Sequence, residues 1–183
     1  MARALRAEGL ATLWPMASSG SLPFDPIEEA QRQWTDHGWG AQAGAMAVVT
    51  SIMRVEQFLL ARVDEALRPF GLTFARYEAL ALLSFAKPGG LPMGKVGQRL
   101  QVHPASVTNA IDRLEAGGLV RRRPHPTDGR TTLAQITPKG RRLAEKATAG
   151  LNAVFAGLEL DEGDATELFN LLRKLRRAEG DFA

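Results

Sequence analysis

Cysteine is absent from the 183 residues. That excludes disulfides, zinc–thiolate sites and thiol-based redox sensing, and it fits a cytosolic protein. Histidine is scarce. His37, His103 and His125 are too scattered to make a helical metal pair, and no HExxH motif or cysteine cluster joins them. No metal and no other cofactor is therefore expected. No run approaches the roughly eighteen apolar residues of a membrane-spanning helix, so no membrane partner is expected either. The N-terminal stretch MARALRAEGLATLWPMASS is only faintly like a secretion signal, because Glu8 and Gly9 interrupt its apolar run. Neither a nucleophile elbow nor a paired-carboxylate pattern is present. Gly89, Gly94 and Lys95 have the spacing of a phosphate loop. However, Val96 stands where Mg²⁺ coordination needs Ser or Thr, and a helix rather than a buried strand precedes the loop. Nothing supports an enzyme.

What is present is an uneven charge. The chain carries a net charge of only +3. Between residues 95 and 142 there are ten Lys and Arg against three acids, Asp112, Glu115 and Asp128, so this stretch carries +7 and the remainder −4. Such a concentration suits a polyanion, whose binding weakens steeply with salt through counterion release.

The basic stretch has a definite pattern. Val96 and Leu100 share one face of a short helix, and Gln101, Val102 and His103 break its period. Pro104 suits a first helical turn, and the residue before it is pushed toward an extended conformation. Val107, Ala110, Ile111 and Leu114 then form one apolar stripe, ended by Gly117 and Gly118. The opposite face carries Ser106, Thr108, Asn109 and Arg113, side chains suited to base edges and phosphates. Leu119 and Val120 begin a strand that continues through Arg121, Arg122 and Arg123. Pro124, Pro126, Asp128 and Gly129 form a turn, and a β-prone run from Thr131 to Thr137 returns. Two helices joined by a tight turn and followed by an arginine-tipped hairpin make a winged helix-turn-helix, with double-stranded DNA as the expected partner.

Long helices flank this head. Residues 1–24 are expected to be a loosely held tail, with Met16 as an alternative start. The N-terminal helices span 25–71. Asp25 caps a short helix that ends near Gly38, with Trp34 and Trp39 packing it. A long stripe through Val48, Ile52, Val55, Leu59, Val63, Leu67 and Phe70 follows. The winged head spans 72–140. It begins with a Thr73-capped helix whose Tyr77, Leu80, Ala81 and Phe85 face a core, then a turn over 87–90 and a short strand at Leu91 and Pro92. C-terminal helices span 141–183, capped at Thr137 and Asp161 and ending in Arg173, Lys174, Arg176 and Arg177. The expected class is mainly α with a small β-wing: a winged head between long N- and C-terminal helices that pair two copies as a homodimer.

The segments FGLTFARYEALALL, KVGQRLQVHPASVTNAIDRLEAGGLVRR and PTDGRTTLAQITPKG resemble the MarR/SlyA family of bacterial transcription regulators. The last is the most specific, with Asp-x-Arg in the wing and then Thr-Pro-x-Gly. The resemblance implies a homodimer that reads a near-palindromic operator. Its recognition helix enters the major groove through Ser106, Thr108, Asn109 and Arg113. Arg130 enters the minor groove, held in position by Asp128, and Arg121 and Arg123 add to the DNA-binding charge. Many members have Arg where this chain has Asn109, a residue that pairs well with adenine. The resemblance also implies a small aromatic effector, for which Trp39, Met46, Met53, Arg54 and Tyr77 are the candidate lining; ordinary core and interface packing is their alternative role. Two other readings stay open: a winged-helix protein–protein interaction module, and a DNA-binding regulator without ligand control.

Overall fold

The computed structural model describes residues 22–87 and 89–183. The expected tail, 1–24, lies outside the described residues except for its last three, and Pro88 of the expected 87–90 turn lies outside them too. The chain divides into two compact units, residues 1–57 and 58–183.

In the first unit the Asp25 carboxylate accepts hydrogen bonds from the amides of Ile27 (2.8 Å) and Glu28 (3.4 Å), starting helix α1, Pro26–Trp34. A wide turn, Thr35–Trp39, interrupts it where Gly38 takes φ +88°, a left-handed conformation that glycine adopts without steric cost. Trp34 and Trp39 meet edge to face across this turn, ring centres 5.5 Å apart. Helix α2, Gly40–Leu67, begins there. Its Val48, Ile52 and Val55 are exposed, although the sequence pattern marks them as one apolar stripe. The expectation of no membrane-length helix needs correction. The helical stretch Pro26–Phe70 is long and apolar enough to cross a membrane by length and composition alone. Its alanines, glycines, serines and threonines break any continuous apolar run while leaving the mean hydropathy high. The observation is weak evidence, since core helices of ordinary proteins pass the same test.

The second unit holds the core. Val63 and Leu67 from the end of α2 pack with Leu72, with Leu80 and Leu83 of helix α3 (Phe74–Ser84), and with Val96 of helix α4 (Met93–Leu100). Val107, Ile111 and Leu114 of helix α5 (Pro104–Ala116) join them, as do Ala144, Ala147 and Leu151 of helix α6, Pro138–Ala156. Phe85 departs from expectation. It is 85% exposed although, as the C-cap of α3, its amide still donates to the Ala81 carbonyl at 3.3 Å. Helix α7, Glu162–Ala178, buries none of its residues.

Three strands complete the unit: β1 (Leu91–Pro92), β2 (Val120–Pro124) and β3 (Thr132–Ile136). They form an antiparallel sheet in the order β1-β3-β2. Leu91 pairs with Ala134, and Val120, Arg121, Arg122 and Arg123 pair with Ile136, Gln135, Ala134 and Leu133.

A single residue, Thr137, separates β3 from α6. Its hydroxyl donates to the carbonyl oxygens of Gly118 (2.8 Å) and Leu119 (3.1 Å) and accepts from the Gly140 amide (3.0 Å). Its own amide donates to the Leu119 carbonyl at 2.9 Å. Gly140 is forced by this closeness, since a Cβ there would sit on the Leu119 carbonyl oxygen. That accounts physically for the Thr-Pro-x-Gly run: a cap, a first-turn proline and a residue small enough for α6 to start against β2.

Candidate nucleic-acid interface

Helix α5 is the centre of the interface. The His103 imidazole accepts from the Ala105 amide at 3.2 Å, so the histidine caps the helix that Pro104 begins. Gly97 of α4 lies against Val107, where an added Cβ would come within 3.2 Å of a Val107 methyl. Gln101 turns the chain between the two helices at φ +52°. With Val107, Ile111 and Leu114 held in the core, Ser106, Thr108, Asn109 and Arg113 are turned to solvent together. The Thr108 hydroxyl donates to the Pro104 carbonyl at 3.1 Å, which fixes its rotamer and leaves its oxygen lone pairs outward.

Strand β2 divides its three arginines. Side chains alternate along a strand, so Arg122 lies on the same side as buried Val120, while Arg121 and Arg123 lie on the other. Arg122 is a brace. Its guanidinium meets Asp112 at 2.6 Å and Glu115 at 2.7 Å, both on α5, and its amide donates to Glu115 at 2.8 Å. The Arg122 amide and guanidinium hold the Glu115 carboxyl below the ordinary value of 4.5. The sequence assigns Arg121 and Arg123, not Arg122, to DNA; alternation from Val120 is the signal that separates it. Arg121 donates to Gln135 across the sheet at 2.9 Å. Arg123 and Arg130 are exposed.

Asp128 holds the wing tip by its backbone. It accepts from the Thr131 hydroxyl at 2.6 Å and from the Arg130 amide at 3.0 Å, and these bonds lower its pKa below 3.8. The guanidinium of Arg130 takes no part, so Asp128 sets the course of the chain and leaves the arginine head available.

These elements converge. One open cleft of about 590 Å³ is lined by Met93 and Lys95 at the start of α4, Thr108 of α5, Arg122 of β2, and Arg130 and Thr131 at the wing tip. The cleft thus has the recognition helix on one side and the wing arginine on the other.

The model of the MarR family matches residues 70–131. A MarR-family transcriptional regulator from Streptomyces coelicolor, Sco5413, is 56% identical in its solved structure, with a TM-score of 0.69, over 76% of this chain and 97% of that one.

The chain belongs to the MarR family.

It is a helix-turn-helix transcriptional regulator of that family. A relative in Mycobacterium tuberculosis, the HTH-type transcriptional repressor Rv2887, is 31% identical over 68% of this chain and 89% of its own length. CouR from Rhodococcus jostii RHA1, solved bound to p-coumaroyl-CoA, is 29% identical with a TM-score of 0.61, over 70% of this chain and 89% of that one.

The five residues named for an effector fall in different units. Trp39 and Met53 are exposed and Met46 and Arg54 half-buried in the first. Tyr77 belongs to the second, where its hydroxyl bonds Thr148 at 3.0 Å and its ring stacks on Phe74.

Proposed function

We propose that this MarR-family regulator binds a near-palindromic operator as a homodimer in the cytoplasm, acts as a repressor and is released by a small aromatic ligand. The shared cleft carries the reading. Thr108 and Arg130 border one opening, so a single duplex can meet the α5 face and the wing tip together. In this reading Ser106, Thr108, Asn109 and Arg113 meet base edges in the major groove, Arg130 enters the minor groove, and Arg121 and Arg123 lie against phosphates. Pairing is supported by the unburied apolar side chains of α7, among them Leu168, Phe169, Leu171 and Leu175, which a lone chain would leave in water. Repression is supported by the mycobacterial relative. The aromatic effector is supported by the ligand of the Rhodococcus neighbour; Trp39, Met46, Met53, Arg54 and Tyr77 are proposed as the residues it senses.

The test is selection of bound duplexes from a random pool, followed by gel shifts at rising salt and light scattering. An enriched inverted repeat, affinity falling steeply with salt and a dimer mass are expected. Salt-indifferent binding, or a monomer at micromolar concentration, overturns the reading; the first outcome would favour a protein–protein module instead. Addition of p-coumarate or its thioester tests release.

A further inference from the structure

We propose that the basic end of α7 is a second DNA-contacting surface that grips backbone phosphates flanking the half-site read by the winged head. The inference rests on the DNA-binding reading above and extends it. Arg173, Lys174, Arg176 and Arg177 bring four cations into five positions, opposed in the rest of the chain's end only by Glu179 and Asp181. Complementing the helix dipole explains cations in a last turn, but not their arrangement here. The guanidinium groups of Arg173, Arg176 and Arg177 lie 5.6, 5.5 and 5.1 Å from the ring centre of Phe182, so like charges are gathered on one aromatic post. Arg176 is neutralised by Asp181 at 2.5 Å. The others line a groove of about 590 Å³ with Asn170 and Ala178, and no carboxylate lines it.

Position decides what this charge is for. The chain does not trail away after α7. It folds back, and the Asp181 carbonyl accepts a hydrogen bond from the Gln101 side chain. Gln101 is the turn between α4 and α5, so the basic cluster stands beside the entrance to the recognition helix. At about 100° per residue, Arg177 lies roughly 170° round the helix from the centre of the Leu168, Phe169, Leu171 and Leu175 face, so the proposed pairing leaves it open, and Arg173, one turn beyond Phe169, stands at that face's edge. A rigid anionic polymer extending past the half-site has the chemistry to fill such a groove.

The test uses the full-length protein and a duplex it selects, made with and without ten further base pairs at each end. For Arg173→Gln/Arg177→Gln the slope of log affinity against log salt on the longer duplex should fall by roughly two, one unit for each phosphate no longer neutralised. The wild type should bind the longer duplex more tightly than the shorter, and the variant should not distinguish them. Arg173→Lys/Arg177→Lys should keep the wild-type slope, and light scattering should show every variant at wild-type mass. The proposal is overturned if the Gln variant keeps the slope and the length preference, if it weakens both duplexes equally, or if the Lys variant behaves like it. A wild type that binds no duplex removes the DNA-binding reading itself, which is a separate result.

Discussion

From Leu72 through α6 most large aliphatic side chains are buried or half-buried, Val102 excepted, and Leu80, Val96, Ile111 and Leu151 have no exposure at all. Helix α7 is as rich in leucine and buries none of its residues. The same residue type is thus used in two ways. In the head, leucine is consumed by the chain's own packing, and the α5 surface left outside is polar. In α7, leucine is left outside, on the surface proposed above for pairing with a second copy. The difference lies in neighbours rather than in composition: α5 is ringed by α3, α4 and β2, whereas no neighbouring element buries any residue of α7.

The largest expected effect sharpens that contrast. Ile111→Ala should cost about 2–5 kcal/mol of stability, the range for emptying a buried aliphatic site, and the loss should not depend on protein concentration in thermal unfolding. Leu171→Ala should act in the opposite manner, weakening dimerisation and making the melting temperature more concentration-dependent. Equal, concentration-independent losses would break the comparison. Next comes Arg130→Ala, which should weaken operator binding by about 1–3 kcal/mol in a gel shift while leaving stability unchanged, since its guanidinium supports nothing in the fold. Gly140→Ala should do the reverse. It should cost about 1–3 kcal/mol of stability through overpacking against Leu119, and Gly129→Ala, where a Cβ would meet nothing within 4 Å, is its control.

The smallest effect is one of pH. The Glu115 carboxyl is held below its ordinary value of 4.5, so its contribution is fully present above that pH and is lost as pH falls through the lower folded-state value. Stability measured between pH 5 and 3 should therefore fall less steeply for Glu115→Gln than for the wild type. Identical profiles would remove Glu115 from the brace between wing and recognition helix.

Local chemistry made much of this legible. Caps at Asp25, Thr73, Thr137 and Asp161, the turn at Gln101 and the polar face of α5 all follow from neighbours within four residues. Alternation from Val120 sets Arg122 apart from Arg121 and Arg123, but its ion pairs with Asp112 and Glu115 lie on another element and leave no local pattern. Phe85 misleads by spacing: it keeps the helical bond to Ala81, yet as the C-cap of α3 its side chain is exposed. The role of Asp128 is hidden for another reason. Asp-x-Arg spacing suggests an ion pair, but the carboxylate is satisfied by an amide and a hydroxyl first. The bond from Gln101 to Asp181 joins residues far apart in the chain, and no pattern in the sequence announces it.

The junction at Thr137 has a mechanical consequence. With one residue between β3 and α6, and that residue bonded to both Gly118 and Leu119, there is no hinge where the wing meets the helix. The nineteen residues of α6 form a shaft about 28 Å long, fixed to the wing at its base. A tilt of about 10° imposed at the far end would swing that base through roughly 5 Å, more than the rise between neighbouring base pairs. In the proposed dimer the distance between the two heads would be geared to whatever rocks the distal end of the shaft, and a slight rotation there would throw both out of step with the double helix.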